Sequence, residues 1–572
     1  MAVNNREIAA IFNEMADLLE IAGENPFRVR AYRNAARTVE GYSRSMAEML
    51  AAHEDLEKLP TIGEDLAGKI KEIVDTGRLR KLQQLERGVS PALAGMLRLP
   101  GLGPKRVKVL HERLRIDTQD ELEQAAEQGK IRELPGFGAK TEAKILEAIR
   151  RHADEQRRFL WHEAESVGNE LVRHLEQARA VKDIVIAGSF RRCRETVGDL
   201  DILVTAGKDS DVMQRLRDYD GVERVVSSGE TRSTVILRMG LQVDLRVVPA
   251  VSFGAALHYF TGSKAHNIAI RTLGVRKGLK INEYGIFRGD KRVAGKTEAS
   301  VYAQVGLRYI EPELRENQGE LEAAKMNALP DLVKREDIRG DLHMHTTASD
   351  GHDSLEAMAR AAGELGYDYI AITEHSQHLK VAKGLTAERL REQCDAIDRL
   401  NEQLQGLRVL KGVEVDILED GSLDMPDDVL ERLDVCVAAV HSGFGLSRRK
   451  QTDRILRAMD NPHFNILAHP TGRLIGRRDA YEVDLERVLR AARSNACAIE
   501  LNAQPERLDL DDSACRLAKS IGVSLVISTD AHSTGQLDYM RLGVAQARRG
   551  WLEKEDVLNS LGRGALLKRL QR

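Results

Sequence analysis

Apolar residues recur at two different spacings along this chain. Within the first 88 residues they return at helical spacing, in the set Ile8, Ile11, Phe12, Met15, Leu18 and Leu19. From about residue 156 onward, short apolar runs of strand length appear as well, for example at 184–187, 241–247 and 523–528. The pattern predicts a helical N-terminal region followed by parts that combine strands with helices.

Three short turns of similar composition interrupt the helical region, at 59–63, 99–103 and 134–138. Glycine permits a tight turn and close backbone approach, and the helix N-terminus behind it offers N–H groups to a phosphate. The turns resemble helix-hairpin-helix motifs, which bind the DNA backbone; a plain turn between two helices is the alternative. The predicted DNA-binding positions are Gly63, Gly101, Gly103, Lys105, Arg106, Gly136 and Gly138.

Carboxylates occupy two predicted strands in the middle of the chain. The alternation in 199–202 places Asp199 and Asp201 on one strand face, and Asp244 lies inside the run 241–247. Crowded carboxylates repel one another unless cations lie between them, and hard oxygen ligands suit Mg²⁺. The three acids, preceded by a Gly-Ser turn with arginines, predict a two-metal nucleotidyl-transfer site. For Asp199 taken alone, an ordinary turn acid is the alternative.

In the C-terminal half, histidines and acids repeatedly follow apolar strands, with helical stretches between them. This arrangement is how a (β/α) barrel gathers a site at the C-terminal ends of its strands. Six histidines and three acids form the set: His343, His345, Asp350, His375, Glu414, His441, His469, Asp530 and His532. Such a set of nitrogen and oxygen ligands suffices for two or three Zn²⁺ or Mn²⁺ ions.

Composition limits the remaining possibilities. A chain of 572 residues with 42% hydrophobic residues has room for several domains, and its net charge of −3 requires any basic DNA-facing surface to be local. The five cysteines show no CxxC spacing, which is typical of reduced thiols, and no apolar run reaches transmembrane length. We expect a soluble, cytoplasmic protein without a membrane partner, and nothing in the sequence demands more than a monomer.

The middle of the chain resembles the family X DNA polymerases. The family signature is matched in order by Gly188-Ser189, Asp199-x-Asp201, Asp244, Tyr259–Ser263, Asn267 and Ile281–Gly285. The resemblance implies that the three acids bind Mg²⁺ or Mn²⁺ and catalyse nucleotide addition. It also implies a nucleotide pocket made of Gly188, Ser189, Arg192, Tyr259, Phe260, Gly262, Asn267 and Arg271.

The N-terminal helices stand where this family carries a small lyase domain. Lys69 matches the position of the nucleophile that forms a Schiff base with a sugar aldehyde. Arg28 and Asp65 replace lysines of the family pattern, which puts the lyase activity in doubt. A surface lysine is the alternative interpretation of Lys69.

The C-terminal half resembles a PHP (polymerase and histidinol phosphatase) domain, and all nine positions of the metal motif match. Members of that family cleave phosphoesters with the help of bound metal ions. Beside a family X polymerase, such a domain is similar to a 3′–5′ exonuclease that prefers Mn²⁺. Arg473, just after His469, is a candidate phosphate ligand, and a surface arginine is the equal alternative.

Together these patterns predict a multidomain DNA repair polymerase. The predicted segments are an N-terminal helical, lyase-like DNA-binding domain (1–88), helix-hairpin-helix fingers (89–155), an α+β nucleotidyltransferase palm (156–262), a thumb (263–316), a linker (317–336) and a distorted (β/α) barrel of PHP type (337–572). We expect it to fill short gaps in gapped or primed DNA with dNTPs, as in base excision repair. The PHP part is expected to remove 3′ nucleotides, and processing of abasic sites is compatible with the same prediction.

Two other functions are compatible with parts of the sequence. One is a phosphatase for small phosphoesters whose palm is vestigial, which the three intact palm acids argue against. The other is a non-catalytic DNA-binding scaffold, which the turns alone allow and two complete sets of metal ligands argue against. Primer extension and its dependence on metal distinguish these functions from that of a polymerase.

Overall fold

The computed structural model describes residues 5–40, 42, 45–86, 96, 102, 104–134, 136–146 and 157–571. Contacts divide the chain into two compact units, one of residues 1–158 with 317–323 and the other of residues 159–316 with 324–572. Across these described ranges, no helix combines the length and the apolar character needed to cross a membrane.

The first unit is built from helices, as the helical spacing predicts. The helices are α1 (Asn5–Ala22), α2 (Pro26–Glu40), α3 (Met46–Ala51), α4 (Glu64–Thr76), α5 (Arg80–Glu86), α6 (Pro104–Leu114) and α7 (Gln119–Glu127), and residues 139–146 are helical as well. Ile8, Phe12 and Met15 of the predicted apolar stripe are fully buried. Phe12 meets Tyr32 of α2 edge to face, with ring centroids 5.6 Å apart, so α1 packs through the face that the spacing selects.

The second unit begins with the sheet that carries the palm acids. The strands of this part are β1 (Phe159–Leu160), β2 (Val181–Ile186), β3 (Thr196–Val197), β4 (Asp199–Ala206), β5 (Val222–Ser228), β6 (Arg232–Leu237) and β7 (Gln242–Val247). β1 and β3 pair with each other, and the other five strands form the sheet. The order β2-β4-β7-β6-β5 places β4 inside the sheet, antiparallel to β2 and parallel to β7. Leu200 and Ile202 are fully buried while Asp199 and Asp201 are only partly buried, which is the alternation of a half-buried strand.

Helices and a small sheet complete this polymerase-like part. The helices are α8 (Trp161–Glu176), α9 (Gly188–Arg191), α10 (Val212–Arg217), α11 (Phe253–Thr261), α12 (Lys264–Arg276) and α13 (Glu298–Val305). The small antiparallel sheet consists of β8 (Lys280–Asn282), β9 (Gly285–Arg288) and β10 (Lys291–Ala294). A further short helix, α14 (Glu320–Met326), lies within the predicted linker and ends before Leu329-Pro330, so this segment is not a plain linker.

Seven parallel strands in strict chain order form the C-terminal sheet. They are β11 (Gly340–Asp341), β12 (Tyr369–Ile372), β13 (Arg408–Asp416), β14 (Val435–Ala439), β15 (Ile466–Leu467), β16 (Ala498–Asn502) and β17 (Leu525–Ser528). The helices are α15 (Leu355–Glu364), α16 (Ala387–Gln403), α17 (Asp427–Leu430), α18 (Arg448–Met459), α19 (Leu485–Ser494), α20 (Asp512–Ile521), α21 (Met540–Arg549) and α22 (Arg563–Leu570).

The first and last strands of this sheet approach each other at their C-terminal ends. An isolated parallel bridge pairs Met344, after β11, with Ala531, after β17. The backbone N–H of His345 donates a hydrogen bond to the carbonyl of Ala531 over 2.8 Å. The sheet therefore nearly closes, and the predicted distorted (β/α) barrel is confirmed.

Candidate active sites

The three palm acids lie on two neighbouring parallel strands. The register of β4 and β7 pairs Asp201 with Asp244 and Asp199 with Gln242. Burial first, and then the charges of Asp199 and Asp244, raise the pKa of Asp201 to about 7. Carboxylates crowded in this way favour a divalent cation, and an all-oxygen donor set fits Mg²⁺ or Mn²⁺.

Neighbouring polar side chains hold Asp244 in one orientation. Its Oδ1 accepts a hydrogen bond from Thr234 Oγ1 at 2.7 Å, and its Oδ2 accepts one from Gln242 Nε2 at 2.7 Å. The guanidinium of Arg232 lies 3.3 Å from Oδ1. Thr234, Gln242 and Arg232 are not among the site residues predicted from the sequence. Gln242 was detectable, because residues two apart on a strand share a face.

Gly188 begins α9 directly beside the palm acids. Its φ of +65° lies in the left-handed region, and a Cβ on this residue would stand 2.9 Å from Asp201 Oδ2. Both the conformation and the close approach therefore require glycine. The backbone N–H of Ala187 donates to the carbonyl of Asp201 over 2.7 Å, which ties α9 to β4.

Replacing Gly188 by alanine is expected to lower primer extension by about 10- to 100-fold, because displacing a metal-binding carboxylate by about 1 Å has effects of that order. Gly278→Ala is the matched control: Gly278 has a φ of +68°, but a Cβ there meets nothing within 4 Å. Both variants should lose about 1–2 kcal/mol of unfolding free energy from backbone strain. The measurements are gap filling with Mg²⁺ and urea unfolding. Equal extension by the two variants would contradict the role of Gly188.

Arg192, predicted to hold the triphosphate, is anchored by residues close to the thumb. Its Nε lies 2.9 Å from Glu316 Oε1, and its Nη1 donates to the carbonyl of Thr261 over 2.8 Å. Ser189 lies one turn earlier, within α9. Ser189 and Arg192, which are predicted to bind phosphate, thus lie in one short segment near the N-terminal end of β4, the strand that carries Asp199 and Asp201.

The remaining predicted pocket residues gather at the junction of α11 and α12. Asn267 Nδ2 donates to the carbonyls of Tyr259 and Gly262 over 2.7 and 3.0 Å. A Cβ on Gly262 would stand 2.7 Å from Asn267 Oδ1, so a side chain at this position would displace the Asn267 amide. Phe260 packs edge to face on Tyr259 with centroids 5.1 Å apart, whereas Arg271 lies exposed one helical turn after Asn267.

The predicted DNA-binding turns are described in part. Gly63 is the N-cap of α4, and Gly138 accepts the first backbone hydrogen bonds of the helical residues that follow it. Among the described residues, nothing lies within 4 Å of a Cβ built on Gly63, Gly136 or Gly138, so these neighbours leave the backbone open to a ligand. Arg106 stacks over the ring of Phe137 at 5.6 Å. Gly101, Gly103 and the side chain of Lys105 lie outside the described residues.

Lys69, predicted as the lyase nucleophile, lies on α4. Its side chain is 11% exposed and its ammonium is ion-paired with Asp65. The ammonium also lies 5.5 Å from the centre of the Tyr32 ring. The hydrogen bond from Lys69 is the main cause that lowers the pKa of Asp65. Lys69 as a Schiff-base nucleophile stays a prediction.

The predicted barrel ligands meet at the C-terminal ends of the strands. Three overlapping clusters are His345, Asp350, His375 and His532; His343, His345 and Asp530; and His375, Glu414 and His441. Within each cluster the ligand atoms lie within 4.8 Å of one another. His469 joins them through its Nε2, which lies 2.9 Å from Glu414 Oε1. The structure therefore brings all nine residues together.

The donor chemistry of this cluster fits metal ions. Within the described residues, the buried His343 Nε2 and both ring nitrogens of His345 have no hydrogen-bond partner. Burial first, and then the charge of His375, lower the pKa of His345 to about 3, so its ring is in the neutral form that binds metals. Mixed imidazole and carboxylate ligands suit Zn²⁺ or Mn²⁺.

Two buried acids outside the predicted set hold the histidine ligands. Glu500 Oε1 lies 2.7 Å from His343 Nδ1, and Glu500 Oε2 accepts the backbone N–H of His469 over 2.7 Å. Asp416 Oδ1 lies 3.0 Å from His441 Nδ1. A carboxylate on the second ring nitrogen orients a histidine ligand and strengthens it. The signal in the sequence was an acid inside an apolar strand, in β16 and β13.

Arg473 is fully engaged by the protein. Its Nη2 lies 2.7 Å from Glu195 Oε2 in the palm, and its Nε donates to the carbonyl of Arg507 over 2.9 Å. A further bond goes to the carbonyl of Leu508. These contacts join the barrel to the palm and argue against Arg473 as a phosphate ligand.

Comparison with known families and proteins agrees with this geometry. Family models match the Helix-hairpin-helix domain (3–79), the SAM-like Helix-hairpin-helix tandem (93–151), the DNA polymerase beta palm (158–248), the DNA polymerase beta thumb (256–316) and the PHP domain (341–504). A probable phosphatase of Acetivibrio thermocellus is 32% identical over 202 residues, which are 34% of this chain and 78% of that protein. The DNA polymerase/3′-5′ exonuclease PolX of Bacillus subtilis (strain 168) is 41% identical over 562 residues, 98% of each chain. The chain therefore belongs to the PolX family of DNA polymerases/3′-5′ exonucleases.

Proposed function

We propose that this protein is a DNA polymerase that fills short gaps during repair and trims 3′ ends with its PHP barrel. The observation that carries the proposal is the presence of two separate ligand sets in one chain. One is the in-register pair of Asp201 and Asp244 on parallel strands, and the other is the cluster around Glu414. A small-molecule phosphatase needs only the second set, and a DNA-binding scaffold needs neither.

In the palm, Asp199, Asp201 and Asp244 would hold two Mg²⁺ or Mn²⁺ ions, which neutralise the charge of an in-line displacement. Asp244, held by Thr234 and Gln242, would act on the primer 3′-hydroxyl. The segment from Gly188 to Arg192 would hold the triphosphate. The junction of α11 and α12, around Asn267, would contact the sugar and the minor-groove edge of the new base pair.

In the barrel, the nine residues would hold two or three Zn²⁺ or Mn²⁺ ions, which polarise the scissile phosphoester when bound. Glu500 and Asp416 keep His343 and His441 in the orientation that ligation requires. The Glu414 carboxylate, at the centre, is 1% exposed, whereas Asp350 at the edge of the cluster is 32% exposed, so the cluster opens to solvent on the Asp350 side. The reaction class we assign to this barrel is removal of nucleotides from DNA 3′ ends.

The DNA partner would be gapped or primed duplex, bound by the turns near Gly63, Gly101 and Gly136. The domain boundaries proposed from the sequence, a monomeric state and a cytoplasmic location complete the proposal. The barrel metals, Zn²⁺ or Mn²⁺, and the palm metals, Mg²⁺ or Mn²⁺, are proposed from the donor sets. Lyase chemistry at Lys69 is the least supported part, because Asp65 pairs with its ammonium.

Gap filling is tested with the wild-type protein on labelled duplexes that carry either a one-nucleotide gap or an open template. The expected result is faster insertion in the gap with Mg²⁺ and dNTPs, and 3′ degradation with Mn²⁺ alone. Prior dialysis against a chelator should stop both reactions until metal is restored. Equal insertion on both duplexes would refute gap preference, and insertion on neither would refute the polymerase assignment for the palm.

A further inference from the structure

One helix of the barrel contacts the polymerase half of the same unit through three arginines. The helix is α21, and its ion pairs are Arg541–Glu165, Arg548–Glu313 and Arg549–Glu316, with N···O distances of 2.6, 2.6 and 3.3 Å. All three arginines belong to the exonuclease-like barrel, and all three glutamates precede the linker. The two catalytic parts of this unit are therefore held together by charge pairs along one helix.

Arg549 differs from the other two arginines because it reaches the predicted nucleotide pocket. Its side chain is only 3% exposed, and its Nη1 donates to the backbone carbonyl of Arg192 over 2.9 Å. Its other terminal nitrogen pairs with Asp512, at the start of α20 in the barrel. Arg549 is thus anchored in the barrel and bonded to the backbone of the palm. A buried guanidinium held in this way fixes the relative position of the barrel and the palm at that point.

Glu316 is the carboxylate that Arg192 and Arg549 share. Arg192 Nε lies 2.9 Å from Glu316 Oε1, and Arg549 Nη1 lies 3.3 Å from the same oxygen. Arg194 Nη1 lies 3.7 Å from the same Glu316 oxygen. Burial opposes ionisation, but the charges of Arg192 and then Arg549 lower the pKa of Glu316. Without Arg549, the negative charge of Glu316 would act more strongly on Arg192 and hold its guanidinium away from an incoming phosphate.

We propose that Arg549 of the PHP barrel is a positioning residue of the polymerase site. It holds the Arg192 backbone and shares the charge of Glu316, so that the Arg192 guanidinium is available to the triphosphate of an incoming nucleotide. The exonuclease barrel is then a structural part of the site that binds nucleoside triphosphates. This inference rests on the proposed role of Arg192 in triphosphate binding.

The test uses full-length protein and a one-nucleotide-gapped duplex with Mg²⁺, and measures KM for the dNTP and kcat separately. Arg549→Met is expected to raise KM by about tenfold, the effect of one lost charge-assisted contact, with little change in kcat. Arg541→Met is the matched control: it breaks the pair of the same helix with Glu165 but leaves the contacts of Arg549 with Arg192 and Glu316 in place, and should leave KM unchanged. Degradation of 3′ ends with Mn²⁺ reports whether each variant is folded.

Arg192→Ala separates failure of this inference from failure of the proposed function. If Arg192→Ala leaves KM unchanged, the proposed role of Arg192 in the pocket fails. If Arg192→Ala raises KM while Arg549→Met behaves like Arg541→Met, only the role of Arg549 is overturned. Should Arg549→Met lose both activities through misfolding, Arg549→Lys decides. The single nitrogen of an ammonium cannot take the places of both terminal nitrogens of the guanidinium, so Arg549→Lys should raise KM by a smaller factor than Arg549→Met, and a wild-type KM would overturn the inference.

Discussion

Asp201→Asn is expected to reduce primer extension by about 10³-fold or more, because one bound metal contributes several kcal/mol of transition-state stabilisation. Asparagine keeps the volume of the side chain but removes the charge that faces Asp244 in register. It also relieves repulsion from Asp199 and Asp244, so Tm should not fall. The measurement is single-nucleotide insertion into a labelled gapped duplex with Mg²⁺, together with thermal unfolding.

The matched control for this variant is Asp183→Asn. Asp183 lies on β2 of the same sheet and is bonded to Thr205, away from the three acids. Its replacement should leave insertion unchanged. Degradation of 3′ ends by Asp201→Asn should also match the wild type, because the barrel has its own ligands. Retention of insertion by Asp201→Asn would remove the palm acids from the mechanism.

Glu414→Gln is expected to reduce 3′ degradation by about 10²-fold or more and to lower the number of bound Mn²⁺ ions. Glu414 lies at the centre of the barrel cluster, with oxygens 2.7 Å from His375 Nδ1 and 3.2 Å from His441 Nε2. Although burial opposes ionisation, the charges of His375 and then His441 hold the pKa of Glu414 well below its usual range. Glutamine keeps the shape and removes the negative charge that strengthens binding of a divalent metal.

The measurements for Glu414→Gln are release of labelled 3′ nucleotides with Mn²⁺ and metal content after equilibrium dialysis. His378→Ala is the control, since His378 is an exposed histidine three residues beyond His375, outside the cluster. Gap filling with Mg²⁺ should persist in both variants. If Glu414→Gln binds as much Mn²⁺ as the wild type, the cluster is not a metal site. If it loses gap filling as well, the two activities share a site.

Local patterns in the sequence predict the elements of the fold and the residue types of both sites. The apolar stripe of Ile8, Phe12 and Met15 and the alternation of Asp199 and Asp201 reflect the geometry of a helix and a strand. Those geometries repeat within a few residues, so local spacing reports them directly. The ordering of ligands after successive strands likewise predicts a barrel, because parallel strands present their C-terminal ends at one side.

The side chains that support the sites, and the contacts between the barrel and the polymerase part of its unit, follow from tertiary packing. Glu500 holds two histidine ligands from other strands, and Arg473 contacts Glu195 of the palm instead of an open site. Arg549 bonds to Arg192, which is 357 residues away in the chain. Contacts of this kind depend on how the barrel packs against the polymerase part. The local periodicity of the sequence does not encode that packing.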